Sequence, residues 1–360
     1  MKTKKQNIDY RITKAETDII KCIAIGAMLC HHLFLNHREY GQLPFRFALI
    51  GKICVSLFVF LSGYGMAIKF QKIWDVDSIK DKLTYTMKFF IGRLTKFYLN
   101  YWAIFIIFVP LGIFVFNRHL SDAYGTEQLI WVCLIKDLLG LQGVESYNAT
   151  WWFNRLIISL WIFFPILYWL MKSRVISPWL LVLLYFNPGY YLNFLKFFAP
   201  GLPTYSVPFA LGILVAIRGN EINKFLNKFN PYTIISLAIP ITFLFLYMRN
   251  IAVTPYFIGI KVDPFAVISI SLSVICVRRI TGINFSAMAY VGTHSANMYL
   301  QHTFILGYFF PTLIYGIKNS LLIFVTLFST SLFLSVVTES LKRRIGFYKL
   351  LDKIEQFLRK

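Results

Sequence analysis

The sequence predicts an all-α integral membrane protein of about ten transmembrane helices, with both termini in the cytoplasm. Three observations carry that expectation. Hydrophobic residues make up 57% of the chain and charged residues 15%, against about 25% charged in water-soluble domains. With a mean hydropathy of +0.61, much of this surface needs lipid as its solvent. The apolar residues fall in discrete runs, and many Tyr and Trp lie near the run ends, where an amphipathic ring suits the headgroup layer. Lys and Arg gather in alternate connections, which sets an orientation.

A hydrocarbon core of about 30 Å takes about 20 apolar residues per helix. On that measure the spans are Ile19–Leu35, Phe47–Ile68, Tyr98–Phe116, Trp151–Leu170, Ser177–Tyr191, Tyr205–Ile217, Tyr232–Met248, Pro264–Val277, Ala296–Tyr315 and Leu321–Thr338. The chain then reads as a basic N-terminus over residues 1–18, a transmembrane domain over 19–338 and a basic C-terminal tail over 339–360. Most of the 37 Lys and Arg fall on the side of the termini, above all in Lys69–Lys96 and Lys342–Lys360. The opposite side carries single charges such as Arg38, Arg118, Arg249 and Lys318. The formal net charge of +21 is thus a topology and anionic-lipid signal, not a nucleic-acid one, and it points to the cell membrane. Leu129–Leu141 is apolar but too short to span and contains Lys136 and Asp137, which suits an outer-face or re-entrant helix. The basic start leads into an apolar stretch followed by His31, His32, Leu33 and Phe34. No small-residue cleavage site stands there, so the stretch reads as a retained first helix. The cysteines form no Cys-x-x-Cys pair, and no metal-ligand spacing is present.

Ionisable side chains inside spans are costly and mark function by default. The first span carries Asp18, Lys21, His31 and His32. Lys21 and His32 are about three turns apart, so they share one helix face with about 16 Å of rise between them. Asp18, one turn before Lys21, can pair with it. The stripe therefore runs from an acid–base pair at the cytoplasmic mouth to a histidine deep in the membrane. A neutral imidazole there can act as a general base near pH 7; the alternative is a histidine that only hydrogen-bonds a neighbouring helix. His31 points about 100° away and is the weaker candidate. Arg93 and Lys96, followed by Tyr98 and Tyr101, stand at the cytoplasmic entry of the third span. Two cations one turn apart suit a phosphate-bearing ligand, and they equally suit a positive-inside flank. His302, with Tyr299 one turn below it, fits a structural hydrogen bond better than catalysis. Arg155, near the outer start of the fourth span, suits either an acidic or sugar acceptor or a snorkelling flank.

In order along the chain, these pieces resemble the membrane acyltransferase 3 family, bacterial O-acyltransferases that modify surface polysaccharides. Asp18-Ile19-Ile20-Lys21 through His32 resembles the family's opening helix, with an Asp, a basic residue three positions on, and the catalytic His. Phe58-Val59-Phe60-Leu61-Ser62-Gly63-Tyr64 resembles its second-helix Phe-Phe-x-Leu-Ser-Gly-Phe element. Arg93-Leu94-Thr95-Lys96-Phe97 with Tyr101 resembles its Arg-x-x-Arg-Ile-x-Pro-x-Tyr element. Trp152-Phe153 with Pro165, Phe209-Ala210-Leu211-Gly212, and Tyr299 to His302 fit later helices. Lys21 and Lys96 stand where Arg is common, and Leu99 replaces a Pro; Lys lacks the planar two-bond fork of Arg.

The resemblance implies transfer of an acyl group, most simply acetyl, from cytoplasmic acetyl-CoA to a hydroxyl of a polysaccharide or lipid-linked sugar. It assigns His32 with Lys21 and Asp18 to catalysis, and Arg93, Lys96 and Tyr101 to the donor. Arg155, His302 and Tyr299 become a secondary or acceptor site. No metal and no nucleic acid is expected; the partners are acyl-CoA, glycan and membrane lipid. The other class that intramembrane charges suit is a transporter or flippase for a surface glycan, for which the sequence lacks an inverted repeat of broken helices.

Overall fold

The computed structural model describes residues 8–125, 129–143, 145–186, 193–251 and 258–359, and among these every regular element is helical. In chain order the α-helices are α1 (Lys14–Phe34), α2 (Gln42–Gly51), α3 (Ile53–Trp74), α4 (Ile79–Phe114), α5 (Leu120–Tyr124), α6 (Ile130–Leu138), α7 (Trp152–Lys172), α8 (Ile176–Phe186), α9 (Leu202–Ile217), α10 (Gly219–Leu226), α11 (Pro231–Ile251), α12 (Ile258–Thr281), α13 (Ser286–Thr303), α14 (Pro311–Tyr315), α15 (Ser320–Arg344) and α16 (Phe347–Arg359).

Among the described residues, seven helices are long and apolar enough to cross a membrane: α1, α2 continued by α3, α4, α7, α11, α12 and α15. A broken eighth is α9 with α10, bent by 75°. The fifth and ninth expected spans fall short of that test for different reasons. α8 has 11 residues, and positions 187–191 of that span lie outside the described residues. α13 is too polar. It begins earlier than expected and gives way to a π-helical turn, Phe304–Phe309, before α14. Its polar groups bond within protein: Asn297 Nδ2 donates to Glu339 at 2.7 Å and Gln301 Nε2 to Thr338 at 2.7 Å. A helix whose polar face is satisfied by neighbours need not be apolar all round.

The chain folds as two compact units, Met1–Ile68 with Leu160–Ser295, and Lys69–Ser159 with Ala296–Lys360. In the first unit, Thr13 N donates to Glu16 Oε2 at 2.9 Å and so caps α1. Buried Glu16 also accepts from Arg278 at 2.6 Å and Arg279 at 3.1 Å, at the end of α12. Tyr10 N donates to Asn223 Oδ1 of α10 at 2.8 Å, and Arg218 Nη2 to the Lys172 carbonyl at 3.0 Å. Chain segments expected on the side of the N-terminus therefore meet at one end of this unit. Its middle depends on close backbone approach. A Cβ on Gly63 of α3 would strike the Phe209 carbonyl, and one on Gly212 of α9 would strike the Phe60 carbonyl. The two glycine-bearing motifs singled out in the sequence are thus the two sides of one helix crossing, where small residues let backbones touch.

The second unit is organised by α4. It starts at Ile79 rather than Tyr98, with Ser78 Oγ accepting from Asp81 N at 3.3 Å, and its 36 residues make a rod of about 54 Å. Tyr98 OH, Tyr101 OH and Trp102 Nε1 donate to the carbonyls of Leu139, Asp137 and Leu138 at 2.9, 2.6 and 2.8 Å. They lie at the C-terminus of α6, where the Asp137 carbonyl also accepts from Gly140 N at 2.8 Å. Farther along, a Cβ on Gly112 would strike the Tyr147 hydroxyl, and Arg118 and Tyr147 exchange hydrogen bonds at 2.9 and 2.8 Å. Gly112 and Tyr101 are about 16 Å apart along the helix axis. The α4–α7 connection therefore packs along α4 between Tyr101 and Gly112. Asp137 is buried there, accepting from Tyr124 OH at 2.7 Å and Tyr147 N at 2.6 Å.

Candidate active site

In the first unit the α1 stripe is present as spaced. Asp18 is buried between two lysines, with Lys14 Nζ 2.7 Å from Oδ2 and Lys21 Nζ 3.2 Å from Oδ1. Lys14 is mostly exposed and Lys21 about one-third exposed. A Cβ on Gly292 would strike the Asp18 backbone carbonyl, so this part of α1 is seated against α13. His32 lies in the last turn of α1, about 21 Å along the axis from Asp18. The helix ends at Phe34, one residue short of the expected end of the span. His31 and His32 stand edge to face, with ring centroids 5.2 Å apart. His31 Nδ1 is 2.7 Å from the Ala48 carbonyl of α2; a carbonyl only accepts, so Nδ1 carries the hydrogen. His32 is half-buried.

Ahead of α1, outside the spans, Arg11 grips the carboxylate of Asp9 with Nε at 2.9 Å and Nη2 at 2.7 Å. That guanidinium holds the Asp9 carboxyl below its ordinary value.

Arg93, Lys96, Tyr101, Arg155, Tyr299 and His302 belong to the second unit. Arg93 and Lys96 sit one turn apart inside α4, not in a flanking loop. Arg93 is half-buried, and Lys96 is exposed with Nζ 3.6 Å from Glu355 of α16. Tyr101 does not stand with them as a ligand-facing phenol. It is fully buried, its hydroxyl is held by α6, and its ring packs edge-on against Trp151 at 5.0 Å. His302 is fully buried, with Nδ1 2.8 Å from the Tyr299 carbonyl and Nε2 3.2 Å from Thr303 Oγ1. Tyr299 OH donates to the Thr150 carbonyl at 2.7 Å. Both residues are thus part of a polar seam. Arg155 falls in the first turn of α7, where its carbonyl accepts from Ser159 at 2.8 Å.

Among the described residues, two buried cations escape the sequence reading. Lys342, counted there as part of a basic tail, is 2% exposed. Its ammonium reaches Glu339 at 2.8 Å, Asn297 at 3.0 Å and Asn100 of α4. The buried stripe Ser331, Ser335, Thr338 and Lys342 along α15 is the helical-period signal that could have found it. Arg249, read as a lone outer charge, is buried in α11 and paired with buried Asp263 of α12, Nε to Oδ1 at 2.6 Å. Ser56 Oγ donates to the other carboxylate oxygen at 2.8 Å. Here the expected spans stopped at Met248 and restarted at Pro264, so both partners fell in the connection between them, whereas the structure puts both in helices.

No curated protein and no solved structure matches the chain. A family model described as an acyltransferase domain does, over residues 14–339, from the first residue of α1 to within six residues of the end of α15. That match takes in α1 with its charged stripe, the α3–α9 glycine crossing and the α4 cations in one alignment. This multi-pass helical chain belongs to the acyltransferase 3 family.

Proposed function

We propose that this acyltransferase moves an acetyl group from cytoplasmic acetyl-CoA to a hydroxyl of a surface or lipid-linked polysaccharide at the cell membrane, with His32 as general base. The observation that carries the reading is α1 itself. One helix of 21 residues, long enough to cross a bilayer core, holds a buried carboxylate between two lysines near its start and a half-buried imidazole in its last turn. His32 takes the proton of the acceptor hydroxyl as that oxygen bonds to the thioester carbonyl carbon. The C–S bond then breaks and the proton passes to the departing thiolate, leaving an ester and free CoA. The phosphates of the donor need cations. Lys21, Arg93 and Lys96 supply them in this reading, and Tyr101 drops out because its hydroxyl is already engaged by α6.

The test is chemical analysis of surface glycans for ester-linked acetate in cells with the protein, without it, and with only His32→Ala. The proposal expects ester with the native chain alone. Unchanged acetate with altered amounts of exported glycan would instead favour a transporter.

A further inference from the structure

A charge pair buried among apolar helices is expensive. Removing each ion from water costs several kcal/mol, and well-packed apolar residues often do as well for stability. Arg249 and Asp263 are 3% and 1% exposed at their side chains, so packing alone is a poor reason for them. What a guanidinium offers beyond apolar packing is directed donors in a fixed fork. Arg249 spends Nε and Nη2 on Asp263, at 2.6 and 3.5 Å, and Nη1 on the Leu49 carbonyl of α2. Leu49 belongs to the last turn of α2, where carbonyls lack intrahelical partners. The preceding carbonyl in that turn, Ala48, is the one that accepts from His31 Nδ1. A Cβ on Gly51 of the same turn would strike the Ala27 carbonyl and lie 3.0 Å from His31 Cβ. The end of α2 is therefore gripped from two sides, by the ion pair of α11 and α12 and by the histidine end of α1.

We propose that Arg249 and Asp263 are positioning residues for the histidine pair. They hold the end of α2, the Ala48 carbonyl fixes His31 in one tautomer and one orientation, and the His31 ring sets the edge against which His32 stands. Neither residue touches the reacting atoms. The inference rests on His32 being the base.

Arg249→Lys separates positioning from a merely structural pair. An ammonium still neutralises Asp263, but it lacks the fork that reaches Leu49 as well. The expected result is a protein of near-native thermal stability whose kcat for acetyl transfer falls about 10-fold or more, with the KM for acetyl-CoA within about twofold, as for a base displaced without loss of donor binding. Native kcat in folded Arg249→Lys overturns the proposal.

Should Arg249→Lys not fold, His31 answers the same question. His31→Asn can place an amide donor near the Nδ1 position toward Ala48, whereas His31→Ala cannot. Positioning expects Asn to retain most of the kcat that Ala loses. Equal and severe loss in both, with the fold intact, overturns it by making His31 a participant in the chemistry. His32→Ala runs alongside. If that variant stays active, the reading of the base fails. If it is inactive while Arg249→Lys and His31→Ala keep native kcat, the base stands and the positioning role alone falls.

Discussion

A titratable side chain earns a catalytic reading from what its neighbours leave it to do. His302 and Tyr299 have their polar atoms in a seam with Thr150 and Thr303, and Tyr101 has its hydroxyl on α6. His32, half-buried in the last turn of α1, is the residue whose loss should stop the reaction. His32→Ala is expected to lower the rate by about 10²- to 10⁴-fold, the usual worth of a positioned general base, with normal membrane insertion; His31→Ala should be milder. Rates on purified protein in proteoliposomes check both. For the donor, Arg93→Ala and Lys96→Ala should raise the KM for acetyl-CoA, while Lys96→Arg keeps or lowers it, because a guanidinium can contact a phosphate with two bonds. A double Arg93→Ala, Lys96→Ala protein that binds CoA with native affinity removes both from the donor site. The structure adds a competitor to weigh in that measurement: Glu355 lies 3.6 Å from Lys96, an exposed pair of small worth that a phosphate can displace.

At the scale of elements, two contacts decide which helices can pack. The α3–α9 crossing leaves no room for a methyl group at Gly63 or Gly212, where backbone carbonyls occupy the space. Either Ala variant should cost about 1–3 kcal/mol as an overpacked core position, read as a lower thermal midpoint in detergent. The α4–α6 seam is polar instead. Tyr101→Phe removes one of two donors to the Asp137 carbonyl, Gly140 N remaining at 2.8 Å, and should cost about 0.5–1.5 kcal/mol, with faster amide exchange in α6 as the local readout. An unchanged exchange rate there would mean that Tyr98 and Trp102 hold α6 unaided. Both motif glycines were visible in the sequence as motifs. That they meet each other was not, because helix pairing is a property of three-dimensional packing and leaves no mark in the spacing within either helix.

At the scale of the molecule, the orientation rests on where the basic blocks fall. Within the second unit, Lys342 reaches Asn100 and Lys96 reaches Glu355, so the densest blocks, around α4 and α16, share one end. Within the first unit the N-terminal segment, the end of α7, α10 and the end of α12 share an end as well. On the Lys and Arg excess we propose that these ends are cytoplasmic. A cysteine at Ser320 should react with an impermeant thiol reagent on intact cells above the native background, and one at Asp77 should not. Labelling at Asp77 in sealed cells would reverse the orientation.

The sequence by itself determined the class of the protein and its family. Apolar run length and Lys/Arg asymmetry are local, additive properties that lipid and water read directly, and the α1 stripe follows from helical period alone. Most of the expected spans reappear as helices for that reason. What only the tertiary structure decided concerns polar groups satisfied by distant partners. α13 is a helix that hydropathy under-reads, because Asn297 and Gln301 are bonded to α15. Lys342 and Arg249 look like flanks until Glu339, Asn297 and Asp263 are seen beside them. His31 looks idle until the Ala48 carbonyl is found on its ring. In each case the energy lies in a pair of groups far apart in the chain. A buried polar atom must find such a partner, but the residue on its own does not say which one.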